Sequence, residues 1–323
     1  MGYGYGRGGV WNGRCKDLQS AGRLGWHGSD MNPARLAEAI GVSVGARLCA
    51  TPDSSVHGGS INECYRWESS AGPLFVKVAT ARGRAMFEAE AAGLEELRSA
   101  NAVRVPRVLG SGQNESNAWL VLEWIAFGRS STAAEACLGE QLALQHRRTA
   151  QAFGWSRVNT IGSTPQVNTW TPDWVEFFRE HRLRYQLDLA VRGGHGGNRL
   201  RASGERLLNQ LGAFFTDYRP IPSLVHGDLW GGNWAADAAD RPVIFDPAVY
   251  YADREVDLAM TRLFGGFGAA FYEAYEATWP LDPGARVRVD LYNAYHVLNH
   301  LNLFGDGYLG QALALLDRLI SHS

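Results

Sequence analysis

Apolar positions along this chain fall into two patterns, and each predicts a kind of element. Across residues 86–97, Phe87, Ala91, Leu94 and Leu97 recur at helical spacing and mark one buried face. Leu74-Phe75-Val76-Lys77-Val78 and Ala118-Trp119-Leu120-Val121-Leu122-Glu123-Trp124-Ile125 are instead short apolar runs of the kind that form core strands. Residues 56–78 read as strand, glycine-containing turn, strand, with Gly58 and Gly59 in the turn. Val243-Ile244-Phe245 reads as a further short strand. Helices are predicted over residues 133–148, 204–217, 286–304 and 308–320. Another opens at Pro33 behind Asn32, a capping residue followed by a first-turn proline. One more opens near Asp253, with acidic residues in its first turn.

Residues 1–30 break this pattern. Nine of them are glycine, and none is isoleucine or phenylalanine. So little apolar area cannot offset the entropy of ordering the segment. A disordered leader or non-native extension is therefore expected over 1–30, with folding from about Met31. The remaining length suits two modest lobes. They are expected over residues 31–127 and 128–323, meeting at Gly128-Arg129-Ser130-Ser131.

The totals narrow the class of protein. Apolar residues make up 46% and charged residues 20%, as in globular proteins. A net charge of −2 supplies no basic field for nucleic acid. No apolar run approaches the 18 or so residues that span a bilayer, so no membrane partner is expected. Cys15, Cys49, Cys64 and Cys137 form no C-x-x-C pair, and the N-terminus lacks a signal-peptide core. A reduced, cytoplasmic monomer is the expectation.

The chemistry concentrates in Leu224-Val225-His226-Gly227-Asp228-Leu229-Trp230-Gly231-Gly232-Asn233, followed by Pro242-Val243-Ile244-Phe245-Asp246-Pro247. A polar turn before a hairpin would also contain Asp, Gly and Asn, for conformational reasons alone. The spacing says more. Phosphoryl transfer needs a hydroxyl aimed in line at a γ-phosphate and metal ions to neutralise the developing charge. A kinase catalytic loop supplies an Asp for the hydroxyl and an Asn five residues later for Mg²⁺. A second Asp follows after a short hairpin. Asp228, Asn233 and Asp246 stand in that order, as base and two metal ligands.

A kinase also needs an ammonium on the ATP phosphates, held by a helix carboxylate. A mid-strand Lys on a solvated face is common, so Lys77 alone says little. Glu90, however, lies three residues after Phe87 and four before Leu94, on the buried face. A carboxylate there is costly unless paired, and Lys77 on the preceding strand is the natural partner. Gly58 and Gly59 could cover the nucleotide phosphates, although any hairpin can carry two glycines.

Three other stretches invite a functional reading. Residues 153–174 mix aromatic rings with Asn, Gln and Gly, which suits a sugar-binding surface. They suit a rigid packed loop equally well, and chemistry alone slightly favours packing. Residues 193–198 are glycine-rich but lack the strand-before, helix-after context of a phosphate loop. His296 and His300 are four apart, yet no third ligand stands at a zinc-site spacing.

The loop at residues 226–233, with Phe245-Asp246-Pro247-Ala248, resembles the fructosamine kinase (ketosamine-3-kinase) family. That family belongs to the aminoglycoside-phosphotransferase-like branch of the protein-kinase-like fold. The resemblance extends over about residues 55–310 and includes 153–186 and Tyr295-His296-Val297-Leu298-Asn299-His300. It implies an α+β, two-lobed architecture: an N-lobe of antiparallel sheet plus helix, and a mainly helical C-lobe. It places Glu123, Trp124 and Ile125 at the interlobe hinge, where main-chain atoms bind adenine, and Asp257 as scaffolding for the catalytic loop. It suggests acceptor-site lining around His296 and His300. The implied reaction moves the ATP γ-phosphoryl group, with Mg²⁺, to the 3-hydroxyl of a ketosamine, free or on a glycated protein, and leads to deglycation. The alternatives are a kinase for another small alcohol or aminoglycoside, and a pseudokinase that binds a partner.

Overall fold

The computed structural model describes residues 32–56 and 62–322. The expected leader, residues 1–30, and the turn glycines Gly58 and Gly59 lie outside the described residues.

Helix α1 (Pro33–Val44) starts at the predicted cap. The Asn32 side chain accepts from the Ala34 and Arg35 N–H groups, and Pro33 takes the first position. Strands β1 (Ser54–Ser55), β2 (Glu63–Ser69) and β3 (Gly72–Thr80) follow, then α2 (Arg84–Ser99), β4 (Val108–Gln113) and β5 (Asn117–Glu123). The five strands form one antiparallel sheet in the order β1-β2-β3-β5-β4.

One turn in this region differs from the expectation. β2 and β3 join at Ser70-Ala71, not at the glycine pair. Ser69 makes that turn: its hydroxyl donates to the Gly72 carbonyl and accepts from the Ala71 N–H. The resulting register sets Cys64 opposite Lys77.

Side chains alternate across the sheet. Leu74, Val76 and Val78 pack with Leu36 and Ile40 of α1. Phe75 and Ala79 face the opposite way, into the core that contains Phe87, Leu94 and Leu97 of α2. Lys77 shares their face, so the strand points its ammonium toward α2.

The remainder is mainly helical. α3 (Thr132–His146) leads to a small hairpin, β6 (Asn159–Ile161) with β7 (Thr164–Gln166). α4 (Trp174–Phe178) runs through a π-helical stretch into α5 (Tyr185–Arg192). α6 (Gly197–Gln210) begins earlier than the predicted residue 204, because its buried stripe already starts at Leu200.

Two antiparallel pairs then present the loop of residues 226–233. β8 (Ser223–Val225) pairs with β11 (Tyr250–Ala252), and β9 (Trp234–Ala236) pairs with β10 (Pro242–Ile244). The loop leaves the end of β8, and Asp246 follows β10 by two residues. α7 (Glu255–Leu263), α8 (Ala269–Thr278), α9 (Ala285–Phe304) and α10 (Leu309–His322) complete the helical part. Among the described residues, no helix is long and apolar enough to cross a membrane.

Candidate active site

The loop of residues 226–233 is held by buried polar groups. Gly227 takes φ 83°, and a side chain there would collide with the Ala248 carbonyl. Asp257, in the first turn of α7, accepts from the His226 N–H at 2.7 Å and the Gly227 N–H at 2.8 Å. It also pairs with His146 Nε2 at 3.1 Å, while His146 Nδ1 meets the Tyr275 hydroxyl. Burial opposes ionisation of Asp257, but these donors outweigh it and hold the carboxyl below its usual range. His226 donates from Nε2 to the Phe245 carbonyl at 2.9 Å, tying the loop to the end of β10. Burial lowers its pKa, so this imidazole is neutral.

Asp228 points into a cavity of about 150 Å³ that is also lined by Lys77, Glu90, Asn233 and Asp246. Burial pushes its carboxyl up to about 7, helped by the negative charges of Asp246 and Asp257. A base poised near neutrality is matched to accepting a hydroxyl proton. Asn233 closes the loop, donating from Nδ2 to the Asp228 carbonyl at 2.8 Å.

Lys77 is the centre of the ion-pair network. Its ammonium lies 2.6 Å from Glu90 Oε1 and 2.6 Å from Asp246 Oδ1. Burial alone would lower its pKa, but Asp246 and Glu90 reverse that and keep the ammonium charged. Asp246 adopts φ 57°, unusual for a residue with a side chain. This strained position aims its carboxylate across at the sheet. One oxygen engages Lys77, and the side chain remains 35% exposed toward the cavity.

The donor set fits Mg²⁺. Asn233 uses its amide nitrogen on Asp228, which leaves Oδ1 as an acceptor, and Asp246 offers its second carboxylate oxygen. Mg²⁺ characteristically takes one or two protein oxygens and completes its shell with phosphates and water. Among the described residues, no three His, Cys, Asp or Glu side chains form a metal cluster by themselves. His300 Nδ1 donates to the His296 carbonyl at 2.8 Å.

A second, apolar cavity of about 550 Å³ adjoins the first. Phe75, Leu122, Ile125, Phe127 and Phe245 line it, with Phe127 and Phe245 stacked at 5.4 Å. Its flat apolar walls suit an aromatic base. Glu123, Trp124 and Ile125 form one edge. The Glu123 carboxylate is turned elsewhere, accepting from the Arg107 N–H and side chain, and its own N–H donates to the Arg107 carbonyl at 3.0 Å. The segment after it is stitched to the β9–β10 hairpin by Gly128 N–H to Ala236 O at 2.9 Å and Ala238 N–H to Ala126 O at 3.1 Å.

Cys64, Trp230 and Asp246 line both cavities, so the cavities meet there. Sequence reasoning missed Cys64 and Trp230 as site residues. Trp230 was inside the motif and could have been found. Cys64 depended on the unread Ser69 turn; burial pushes its thiol up to about 12, so it stays protonated.

The aromatic and amide-rich stretch after α3 is chiefly packing. Phe153, Trp155 and Trp174 are buried. Arg182 is fully buried, its guanidinium 4.1 Å from the Tyr250 ring centroid and donating to Asn168 Oδ1 at 2.6 Å. Asn159 donates to the Val249 carbonyl and Gln166 to that of Ala248. This network supports the chain just beyond Asp246. Asn159 and Thr160 also reach the cavity beside Asp228.

The chain is similar to known kinases along most of its length. The fructosamine kinase family model matches residues 34–322. A probable ketoamine kinase of Synechocystis is 45% identical over 88% of this chain and 96% of its own length. The chloroplastic protein-ribulosamine 3-kinase of Arabidopsis thaliana is 43% identical over 83% of this chain and 82% of its own. A candidate fructosamine-3-kinase crystal structure from Thermobifida fusca superposes with a TM-score of 0.78 at 31% identity, covering 89% of this chain and 99% of that one. Aminoglycoside phosphotransferases share the kinase-like fold at 15% identity, a likeness of fold alone.

Proposed function

The chain belongs to the fructosamine kinase family, and from that premise we propose that it transfers the γ-phosphoryl group of ATP to the 3-hydroxyl of a ketosamine, free or carried on a glycated protein. Phosphorylation there destabilises the adduct, so the outcome is deglycation. One observation carries the reading: Lys77 bridges Glu90 and Asp246 at 2.6 Å each, in the same cavity as Asp228. Lys77 would grip the ATP phosphates, fixed in place by Glu90. Asp228 would orient the acceptor hydroxyl and take its proton. The apolar cavity beneath Glu123, Trp124 and Ile125 would hold adenine. Asn233 and Asp246 would hold Mg²⁺, which when bound neutralises charge on the transferred group.

The test is ATP consumption against ribulosamines, erythrulosamines, fructosamines and aminoglycosides. Turnover of a ketosamine well above that of any aminoglycoside is expected. Preference for an aminoglycoside would reassign the acceptor. Turnover of none would favour the pseudokinase alternative, which the intact Lys77, Asp228 and Asp246 oppose.

A further inference from the structure

A strip of aromatic rings leaves the catalytic loop and runs to the surface. Trp230 meets Phe264 at 6.3 Å between ring centroids, and Phe264 meets His300 at 5.0 Å. His300 then meets Phe304 at 5.5 Å and Tyr308 at 5.2 Å. The inner end lines the cavity of Asp228, because Trp230 does. The outer end is open: Phe264 is 43% and Phe304 56% exposed.

Backbone packing holds the strip in place. Gly266 approaches so closely that a Cβ built there would lie 2.7 Å from Gly231 Cα, which docks the loop after Phe264 onto the catalytic loop. Trp234 Nε1 donates to the Gly266 carbonyl at 3.3 Å and reinforces this contact. His300 and Phe304 stand one turn apart on α9. Gly305, at φ 83°, turns the chain so that Tyr308 returns to them.

We infer that this strip is a subsite for the amine-bearing arm of the acceptor, taking the protonated aliphatic amine of a lysine side chain. The inference rests on the ketosamine reading above. In a ketosamine the amine is on C1 and the phosphorylated hydroxyl on C3, so the amine must lie near Asp228 whenever the hydroxyl does. The acceptor's two arms differ in chemistry. One is a polyol; the other is a cation on methylenes. The cavity walls differ correspondingly. Asn62 and Thr160 offer an amide and a hydroxyl beside Asp228. The strip offers rings, which attract cations and cover methylenes. His300 donates from Nδ1 to the His296 carbonyl, so Nε2 is its accepting nitrogen, suited to an ammonium N–H. Exposed rings contiguous with a catalytic loop are otherwise an uncompensated apolar surface.

The experiment compares two ketosamines of one sugar, one on methylamine and one on the side chain of a capped lysine. Values of kcat and KM are measured for the unchanged enzyme and for Phe264→Ser, Phe304→Ser, Phe304→Tyr and Trp170→Ser. Phe264 and Phe304 are exposed, so their substitution should spare folding, which thermal melts would check. Trp170, 45% exposed and tilted against Tyr251 at 5.9 Å, lines neither cavity and is the control. In the two Phe→Ser variants at the strip, the lysine-to-methylamine ratio of kcat/KM should fall about 4-fold for each methylene the lost ring covered, through KM, because both ketosamines carry the cation and only the lysine one carries the methylenes. Phe304→Tyr keeps the ring and should keep the ratio, as should Trp170→Ser. An unchanged ratio in both strip serines, or an equal fall in the control, overturns the assignment and leaves the ketosamine reading standing. Phosphorylation of neither ketosamine by the unchanged enzyme removes that reading, and the subsite with it.

Discussion

Asp228 and Asp246 border one cavity but are held by different partners, and they should fail differently. Asp228 answers to Asn233 and the loop backbone; Asp246 answers to Lys77. Asp228→Asn should cut kcat by about 10²–10⁴-fold while leaving the Mg²⁺ half-saturation nearly unchanged. Asp246→Asn removes a charge from the proposed metal side, so its Mg²⁺ requirement should rise as its rate falls. The same Mg²⁺ dependence in both variants would undo the division of roles. Lys77 and Glu90 form a second unit. Each alanine variant should impair turnover, and the double variant should be little worse than Lys77→Ala, because coupled groups are not additive. Additive losses in the measured kcat/KM would count against a direct pair. This pair was legible in the sequence, since the helical period of α2 puts Glu90 on the face with Phe87 and Leu94. The link from Lys77 to Asp246 was not, because nothing local joins those positions.

Among the elements, α7 bears most directly on the site. Its first turn carries Asp257, which receives two backbone N–H groups of the catalytic loop and His146 of α3. Asp257→Asn exchanges a charged acceptor for an amide whose NH₂ must face those donors. A loss of about 1.5–3 kcal/mol is expected in denaturant unfolding, together with reduced kcat as the loop loses its anchor. Full stability and rate in this variant would show that the loop is held elsewhere. The start of α1 and the apolar strands were readable because caps and periodicity are local signals. The Ser70-Ala71 turn was not. Its signal is a serine hydroxyl bridging the bend, while the nearby glycine pair was the stronger cue.

At the scale of the molecule, α2 and the segment after it are tied to the helical part at points besides Lys77. Arg104 meets Asp237 at 2.5 Å, and Tyr251 donates to Glu96 at 2.8 Å. The helical core also carries a pH liability. His296 is buried, and burial lowers its pKa to about 3, with His300 and Arg182 pushing down and Asp257 pushing up. The fold therefore keeps this ring neutral, while an unfolded chain protonates it below its ordinary value of about 6.5. Its contribution to stability is complete above that pH. It is lost as the pH falls, by up to about 1.4 kcal/mol per unit, and levels off near 3. Thermal melts between about pH 7.5 and 4.5 should show this slope, flattened in His296→Gln. An equally steep decline in the variant would place the acid sensitivity on other groups.

The sequence by itself determined which side chains carry the proposed chemistry. The spacing of Asp228, Asn233 and Asp246 is set within a loop and a hairpin, and the face of Glu90 within two helical turns, so both survive any detail of packing. Only the tertiary structure decided that Cys64 stands opposite Lys77, that Arg182 is enclosed by aromatic rings, and that two cavities join at Trp230. It also decided that Trp230, Phe264, His300, Phe304 and Tyr308 make one continuous strip. These residues come from a loop, a helix end, a second helix and a turn. Their meeting depends on how glycine backbones dock and how helices cross, and no periodicity within a single segment encodes either.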